Sequence, residues 1–202
     1  MRILVAMPER STVDAECAAA FANLQRYEHE LVFSHADGRG VYGPGPARNR
    51  LAKKAIEGNY DYLLSIDTDI IVPPDAIKNL LEPPADIVLG LYRYKNDTGD
   101  CPFFKFEQVN GSDKWHMDEV PHERFEIKAG GFGCAMFDVN VFRQIGMPWF
   151  YWEERPTGHH TGEDVYFCDK ARAAGFKIFA DGRVRCSHVA RKVYKMSEVD
   201  NG

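Results

Sequence analysis

The segment Asp61-Tyr62-Leu63-Leu64-Ser65-Ile66-Asp67-Thr68-Asp69 runs on into Ile70-Ile71-Val72-Pro73-Pro74. Tyr62 to Ile66 reads as a buried strand, and the turn after it carries two carboxylates, Asp67 and Asp69, one residue apart. A short apolar run bounded by turn signals suits a strand covered on both faces in a parallel sheet, and ligands of such sheets gather at the carboxyl ends of the strands. Hard divalent cations take oxygen ligands and often combine one or two carboxylates with a substrate's phosphates, so the pair suits a metal-diphosphate site. A helix cap and a solvated loop acid account for the same residues without chemistry.

Outward from this stretch, the N-terminal side repeats the pattern. Arg2 to Met7 is an apolar strand that stops at Pro8-Glu9-Arg10, and Ser11 or Thr12 caps an Ala-rich helix running to about Tyr27. The loop between them has no Gly-x-Gly-x-x-Gly, so a Rossmann dinucleotide cradle is not supported; Pro8 and Glu9 could instead face a nucleotide from the strand's carboxyl end, or Glu9 could be a capping acid in a simple turn. Glu30 to His35 alternates as a second strand, and a breaker-rich loop, Asp37 to Gly40 and Gly43 to Pro46, leads into a helix from Ala47 to Glu57, stopped by Gly58. Arg48, Asn49 and Arg50 occupy the first turn of that helix. Cations there oppose the helix dipole, which leaves either a nearby phosphate or plain surface as their explanation.

On the C-terminal side, Pro74 to Leu81 reads as a short helix and Asp86 to Leu91 as another buried strand. The alternation of strands and helices predicts a three-layer α/β/α sandwich around a mainly parallel sheet. From Arg93 to Lys128 the segments shorten: Phe103 to Val109, Lys114 to Met117 and Phe125 to Lys128, with Asn110-Gly111 as a hairpin-like turn, predict a small antiparallel portion. Ala129-Gly130-Gly131-Phe132-Gly133 then precedes an apolar strand, and suits a phosphate loop, the floor of an acceptor site or a bulge packed on the core. Asp138 caps a helix to Ile145, followed by the aromatic cluster Pro148-Trp149-Phe150-Tyr151-Trp152, which suits core or a binding platform.

Thr157 to Gly162 is a polar loop, and Glu163-Asp164 opens a helix stopped by Gly175. The two acids suit the helix dipole, and a carboxylate at the mouth of a cleft can also take a proton from a substrate hydroxyl. Lys177 to Ala180 is a strand, Asp181-Gly182 a turn, and Val184 to Ser187 a last strand ending at His188, whose imidazole could complete an oxygen-rich metal site with Asp69.

Composition bounds the rest. The chain has 202 residues, 45% hydrophobic and 27% charged, which is one domain's worth of ordinary globular sequence. A net charge of -5 with dispersed basic residues speaks against a nucleic-acid polymer as partner. No apolar run approaches the ~18 residues a membrane span needs, and five scattered cysteines without a Cys-x-x-Cys pair suit reduced thiols, so a cytoplasmic protein is expected.

In order along the chain, Pro8-Glu9, Ala47-Arg48-Asn49, Asp67-Thr68-Asp69, Gly130-Gly131-Phe132-Gly133, Gly162-Glu163-Asp164 and His188 resemble the pattern of nucleotide-sugar-dependent glycosyltransferases of the GT-A fold, most like family 2. The resemblance covers nearly the whole chain. It implies a single transferase domain over 1–202, with a nucleotide-binding half at 1–92, an acceptor-binding half at 93–188 and a tail at 189–202; the tail's own residues, Arg191, Lys192 and Lys195 before a polar end, suit either fraying in solution or folding over a diphosphate. It implies Mn²⁺ or Mg²⁺ held by Asp69, His188 and, directly or through water, Asp67, which could otherwise contact the ribose. Pro8, Glu9 and Arg48 would line the nucleotide pocket, Asp164 would be the general base with Glu163 orienting it or touching the acceptor, and the Gly130 to Gly133 strand would border the acceptor. The implied partners are a nucleoside diphosphate sugar donor and a hydroxyl-bearing acceptor: a glycan, a small molecule or a protein.

The Gln-x-x-Arg-Trp signature of processive synthases is absent. A sugar-nucleotide pyrophosphorylase would open with a Gly-rich loop, which is also absent, and an Asp-x-Asp phosphatase would want Thr where Ile71 stands. A non-catalytic nucleotide- or carbohydrate-binding module on the same fold is a further reading of the pattern.

Overall fold

The computed structural model describes residues 1–9, 12–25, 30–37, 44–109, 111–154 and 160–190, without the side chains of residues 9 and 30–37. In chain order the elements are β1 (Arg2–Glu9), α1 (Ala15–Ala22), β2 (Glu30–Asp37), α2 (Gly45–Glu57), β3 (Tyr62–Ile66), β4 (Ile70–Ile71), α3 (Ala76–Leu81) and β5 (Ile87–Leu91). They continue with β6 (Asp100–Val109), β7 (Ser112–His116), β8 (Arg124–Glu126), β9 (Ala129–Gly130), β10 (Cys134–Asp138) and α4 (Val139–Ile145). The last are β11 (Glu153–Glu154), β12 (His160–Thr161), α5 (Glu163–Ala173), β13 (Ile178–Arg185) and β14 (Ser187–His188).

Among the described residues, seven strands form the central sheet in the order β2-β1-β3-β10-β5-β13-β8. β1 is parallel to β2 and β3, and β13 to β5, while β10 runs antiparallel between β3 and β5 and β8 antiparallel at the edge. The sheet is therefore mixed but mainly parallel, as the alternation of elements predicts. Successive strand residues point to opposite faces, and both faces are covered. Leu4, Ala6, Leu63, Leu89 and Phe137 join one core, with α2, α4 and α5; Ile3, Val5, Leu64, Val88 and Met136 join the other, with α3 and, at its margin, α1. Two cores explain why these strands read as unbroken apolar runs.

β6, β7 and β9 form a separate three-stranded antiparallel sheet, the predicted smaller portion. The expected third member, Phe125 to Lys128, instead contributes β8 to the edge of the main sheet. The expected turn at Asp181-Gly182 is also corrected. β13 runs through it with a register irregularity, because Asp181 is fully buried and salt-bridged to Arg124 and Arg183. A Cβ at Gly182 would fall 1.9 Å from the Pro121 carbonyl oxygen, so the glycine permits close backbone approach. The helix expected from Ser11 or Thr12 to Tyr27 is shorter: it begins after Asp14, whose amide donates to the Thr68 carbonyl, tying the helix to the aspartate turn.

Candidate active site

Five segments converge at the carboxyl ends of β3 and β5. β3 delivers Asp67 and Asp69, the start of α2 delivers Arg48, the start of α5 delivers Glu163 and Asp164, the loop after β5 delivers Tyr92 and Lys95, and β14 delivers His188.

Arg48 is neither surface nor solvent-facing. It is 4% exposed, and its guanidinium forks onto Asp67, Nη1 to Oδ1 at 2.9 Å and Nη2 to Oδ1 and Oδ2 at 2.9 and 3.1 Å. Among the described residues its Nε has no hydrogen-bond partner, and it faces Glu163 Oε1 at 3.8 Å. One buried cation thus ties the aspartate turn to the start of α5, a role for which the planar fork of Arg is suited. Burial pushes the Asp67 carboxyl up to about 6, against the pull of Arg48. Asn49 is spent on structure: its Oδ1 accepts from the Trp149 and Phe150 amides and its Nδ2 donates to the Phe150 carbonyl.

Asp69 faces two other groups. Lys95 Nζ lies 2.6 Å from Oδ2, and His188 Nε2 lies 3.7 Å from the same oxygen, an ion-pair rather than a hydrogen-bond distance. His188 and Lys95 together hold the Asp69 carboxyl well below the usual carboxylate range. The ladder of β14 with β4 pairs His188 with Ile70, and the Val189 amide donates to the Asp69 carbonyl, so residues far apart in sequence are fixed side by side. His188 Nδ1 lies 2.9 Å from the Arg93 carbonyl oxygen. That contact fixes the ring orientation with Nε2 toward Asp69, and a backbone carbonyl on one ring nitrogen sets which atom the other presents.

Among the described residues no group of three or more His, Cys, Asp or Glu side chains could hold a metal ion. Asp67 is turned to Arg48. Asp69 and His188 remain a two-residue donor set, which fits a hard dication that takes its other ligands from diphosphate oxygens and water.

Asp164 Oδ1 accepts from the Val165 amide at 2.7 Å. Burial pushes its carboxyl up to about 6, and the charge of Glu163 adds to the rise.

The glycine run is not a phosphate loop. Gly131 and Gly133 donate their amides to the Pro102 carbonyl and the Tyr92 hydroxyl, and a Cβ on Gly133 would lie 2.8 Å from the Tyr92 ring. The glycines let Tyr92 pack down on the strand, and Tyr92 in turn meets the His188 ring edge-on at 5.4 Å. The aromatic cluster divides: Trp149 and Phe150 are core, while Tyr151 and Trp152 are 54% and 41% exposed beside a cleft of about 420 Å³ with Pro46, Asn49 and Pro148. Pro8 is buried at the end of β1. The Glu9 side chain, Thr157 to His159 and the tail from 191 lie outside the described residues. Sequence reading missed Lys95 and Tyr92. The available signal was their position just past the carboxyl end of a parallel strand, where ligand-binding loops gather.

No protein-family model matches the sequence, and no curated protein matches it significantly. Solved structures do. A197 from STIV aligns with a TM-score of 0.67 at 19% identity, over 95% of this chain and 87% of that one. GalNAc-T7, crystallised with UDP, GalNAc and Mn²⁺, aligns at 0.63 with 12% identity, over 94% of this chain and 44% of that one. TarS residues 1–349 from S. aureus, in complex with UDP-GlcNAc, aligns at 0.56 with 15% identity, over 96% of this chain and 60% of that one. The fold is a mixed α/β sandwich of the GT-A kind. The chain spans less than two thirds of the GalNAc-T7 and TarS chains it matches. Among the described residues, no helix of this GT-A domain is long and apolar enough to cross a membrane.

Proposed function

We propose that the chain is a metal-dependent glycosyltransferase of the family 2 kind, moving a sugar from a nucleoside diphosphate sugar to a hydroxyl acceptor with inversion. The observation that supports this most is the meeting of Asp67-Asp69 and Glu163-Asp164 around the buried Arg48, at the carboxyl ends of the strands of a GT-A sheet. UDP in the solved neighbours makes a uridine diphosphate donor the first to try.

Asp69 and His188 would hold Mn²⁺ or Mg²⁺, and a bound dication offsets charge growing on the leaving diphosphate. Arg48, fixed on Asp67 and Glu163, sets the aspartate turn and the start of α5 in register, with Pro8, Glu9 and Asp67 beside the nucleotide. The acceptor oxygen attacks the anomeric carbon as its proton passes to the Asp164 carboxylate, while the bond from that carbon to the diphosphate oxygen breaks. Glu163 orients Asp164 or touches the acceptor. Burial suits Asp164 to this task, since a base works best with a pKa near the working pH.

Thermal denaturation with UDP, UDP-GlcNAc and UDP-GalNAc, with and without Mn²⁺, tests the donor site, because a ligand selective for the native state raises Tm. A metal-dependent rise that Asp69→Ala abolishes is expected. Asp164→Asn is expected to retain that rise while losing about 10²–10⁴-fold in transfer rate. Normal turnover by Asp164→Asn would remove it as the base, and no shift with these or with GDP-, CDP- and dTDP-sugars would favour a module binding another ligand.

A further inference from the structure

Asp69 carries its own cation. Lys95 places its ammonium 2.6 Å from Oδ2, the oxygen that His188 Nε2 faces at 3.7 Å. A dication binds carboxylate oxygens at about 2.0–2.1 Å for Mg²⁺ and repels an ammonium on the same atom. Asp67 offers no alternative place, because its carboxylate is forked by Arg48. Lys95 is also able to leave. It stands in the segment between β5 and β6, and its side chain is 35% exposed, so the ammonium can move into water at small cost.

From this geometry we infer that Lys95 is a displaceable internal counter-ion of Asp69, which competes with the divalent cation and makes metal loading depend on the nucleotide. The inference rests on the glycosyltransferase reading of the site. With no donor present, the ammonium neutralises Asp69 and keeps the metal weakly held. A diphosphate adds negative charge beside Asp69 and gives the freed ammonium a new anionic partner, so metal and nucleotide strengthen one another. By linkage that coupling is reciprocal.

The test is Mn²⁺ binding to the whole chain, read by electron paramagnetic resonance or calorimetry, without nucleotide and then with UDP. Without nucleotide, Lys95→Met is expected to bind Mn²⁺ about fivefold more tightly than the wild type, the scale of a part-exposed ion pair. Lys95→Arg keeps a cation and stays near the wild type, and Asp69→Asn loses binding. UDP is expected to tighten Mn²⁺ binding more in the wild type than in Lys95→Met. If wild type and Lys95→Met bind Mn²⁺ equally, or the variant binds more weakly, the counter-ion role is overturned while the metal site stands. If neither binds Mn²⁺ even with UDP, the counter-ion role and the metal-dependent reading fall together.

Discussion

At the scale of single residues, the site is governed by how buried carboxylates are balanced. Arg48 stands between two of them, Asp67 and Glu163, and is almost wholly removed from water. Arg48→Met leaves both acids without their cation, and breaking a buried pair from one side costs about 3–5 kcal/mol. A large loss in urea unfolding is therefore expected, and Arg48→Lys is expected to recover little of it, since an ammonium cannot fork onto a carboxylate.

Asp164 carries a different balance. Its pKa is raised in the folded chain from an ordinary 3.8 to about 6. Below about pH 4 it is protonated in both folded and unfolded chains and costs nothing. As pH rises through 6 the folded chain must charge a disfavoured carboxyl, so this group's contribution to stability is lost over that window. Asp164→Asn is expected to raise Tm at pH 7.5, with the gain gone at pH 4. The transfer rate of the wild type is expected to rise with pH along a limb near 6, where the base becomes ionised.

At the scale of elements, two side-chain clamps hold loops against the sheet. Arg124 and Arg183 share Asp181 and donate to carbonyls at the end of α3, Asn79 and Glu82 from both and Leu80 and Pro83 from Arg124. Two cations at a helix C-terminus oppose its dipole favourably, and the buried acid between them keeps both in place. Asp181→Leu strands two arginines beside the sheet, with an expected loss of about 3 kcal/mol or more in denaturant unfolding.

Asn49 is the second clamp. Its three hydrogen bonds fix the backbone of Trp149 and Phe150, and Lys170 Nζ donates to the Gly146 and Pro148 carbonyls from the other side. Asn49→Ala leaves two amides and a carbonyl of a buried segment unpaired, at about 1–3 kcal/mol. Because the segment leads into Tyr151 and Trp152, the variant is expected to show faster amide hydrogen exchange from 146 to 152 in native buffer.

At the scale of the whole molecule, stability comes from two cores, one on each face of the sheet, and one of them is rich in aromatic rings. Phe132, Phe137, Phe142, Phe150 and Phe167 meet in edge-on and stacked pairs, with Phe150 and Phe167 parallel at 4.9 Å. This cluster joins β10, α4, the aromatic loop and α5, the helix that carries Glu163 and Asp164. Phe167→Ala is expected to cost about 3–5 kcal/mol and to loosen the start of α5 with it.

Much of this layout follows from local signals. Tyr62 to Ile66 is an apolar run ending in Asp67-Thr68-Asp69, and such a run can be satisfied only by cover on both faces, which makes the strand, the sandwich and the position of the acids legible together. Helix starts at Glu163-Asp164 and at Asp138 are legible for the same reason: cap and dipole act within a turn of chain. What local signals could not carry is any pairing across the sheet. β10 inserting antiparallel between β3 and β5, and β8 joining the main sheet rather than the small one, depend on which strands meet.

The site divides in the same way. The residue types of Asp67, Asp69, Asp164 and His188 and their order are in the sequence, and so is the resemblance they carry. That Arg48 would be buried between Asp67 and Glu163 is a matter of tertiary structure, as is the seating of Lys95 and His188 on one oxygen of Asp69. These contacts span 19, 26 and more than a hundred residues of chain. A charge chooses its partner by distance in space, and that distance exists only once both cores have closed around the sheet.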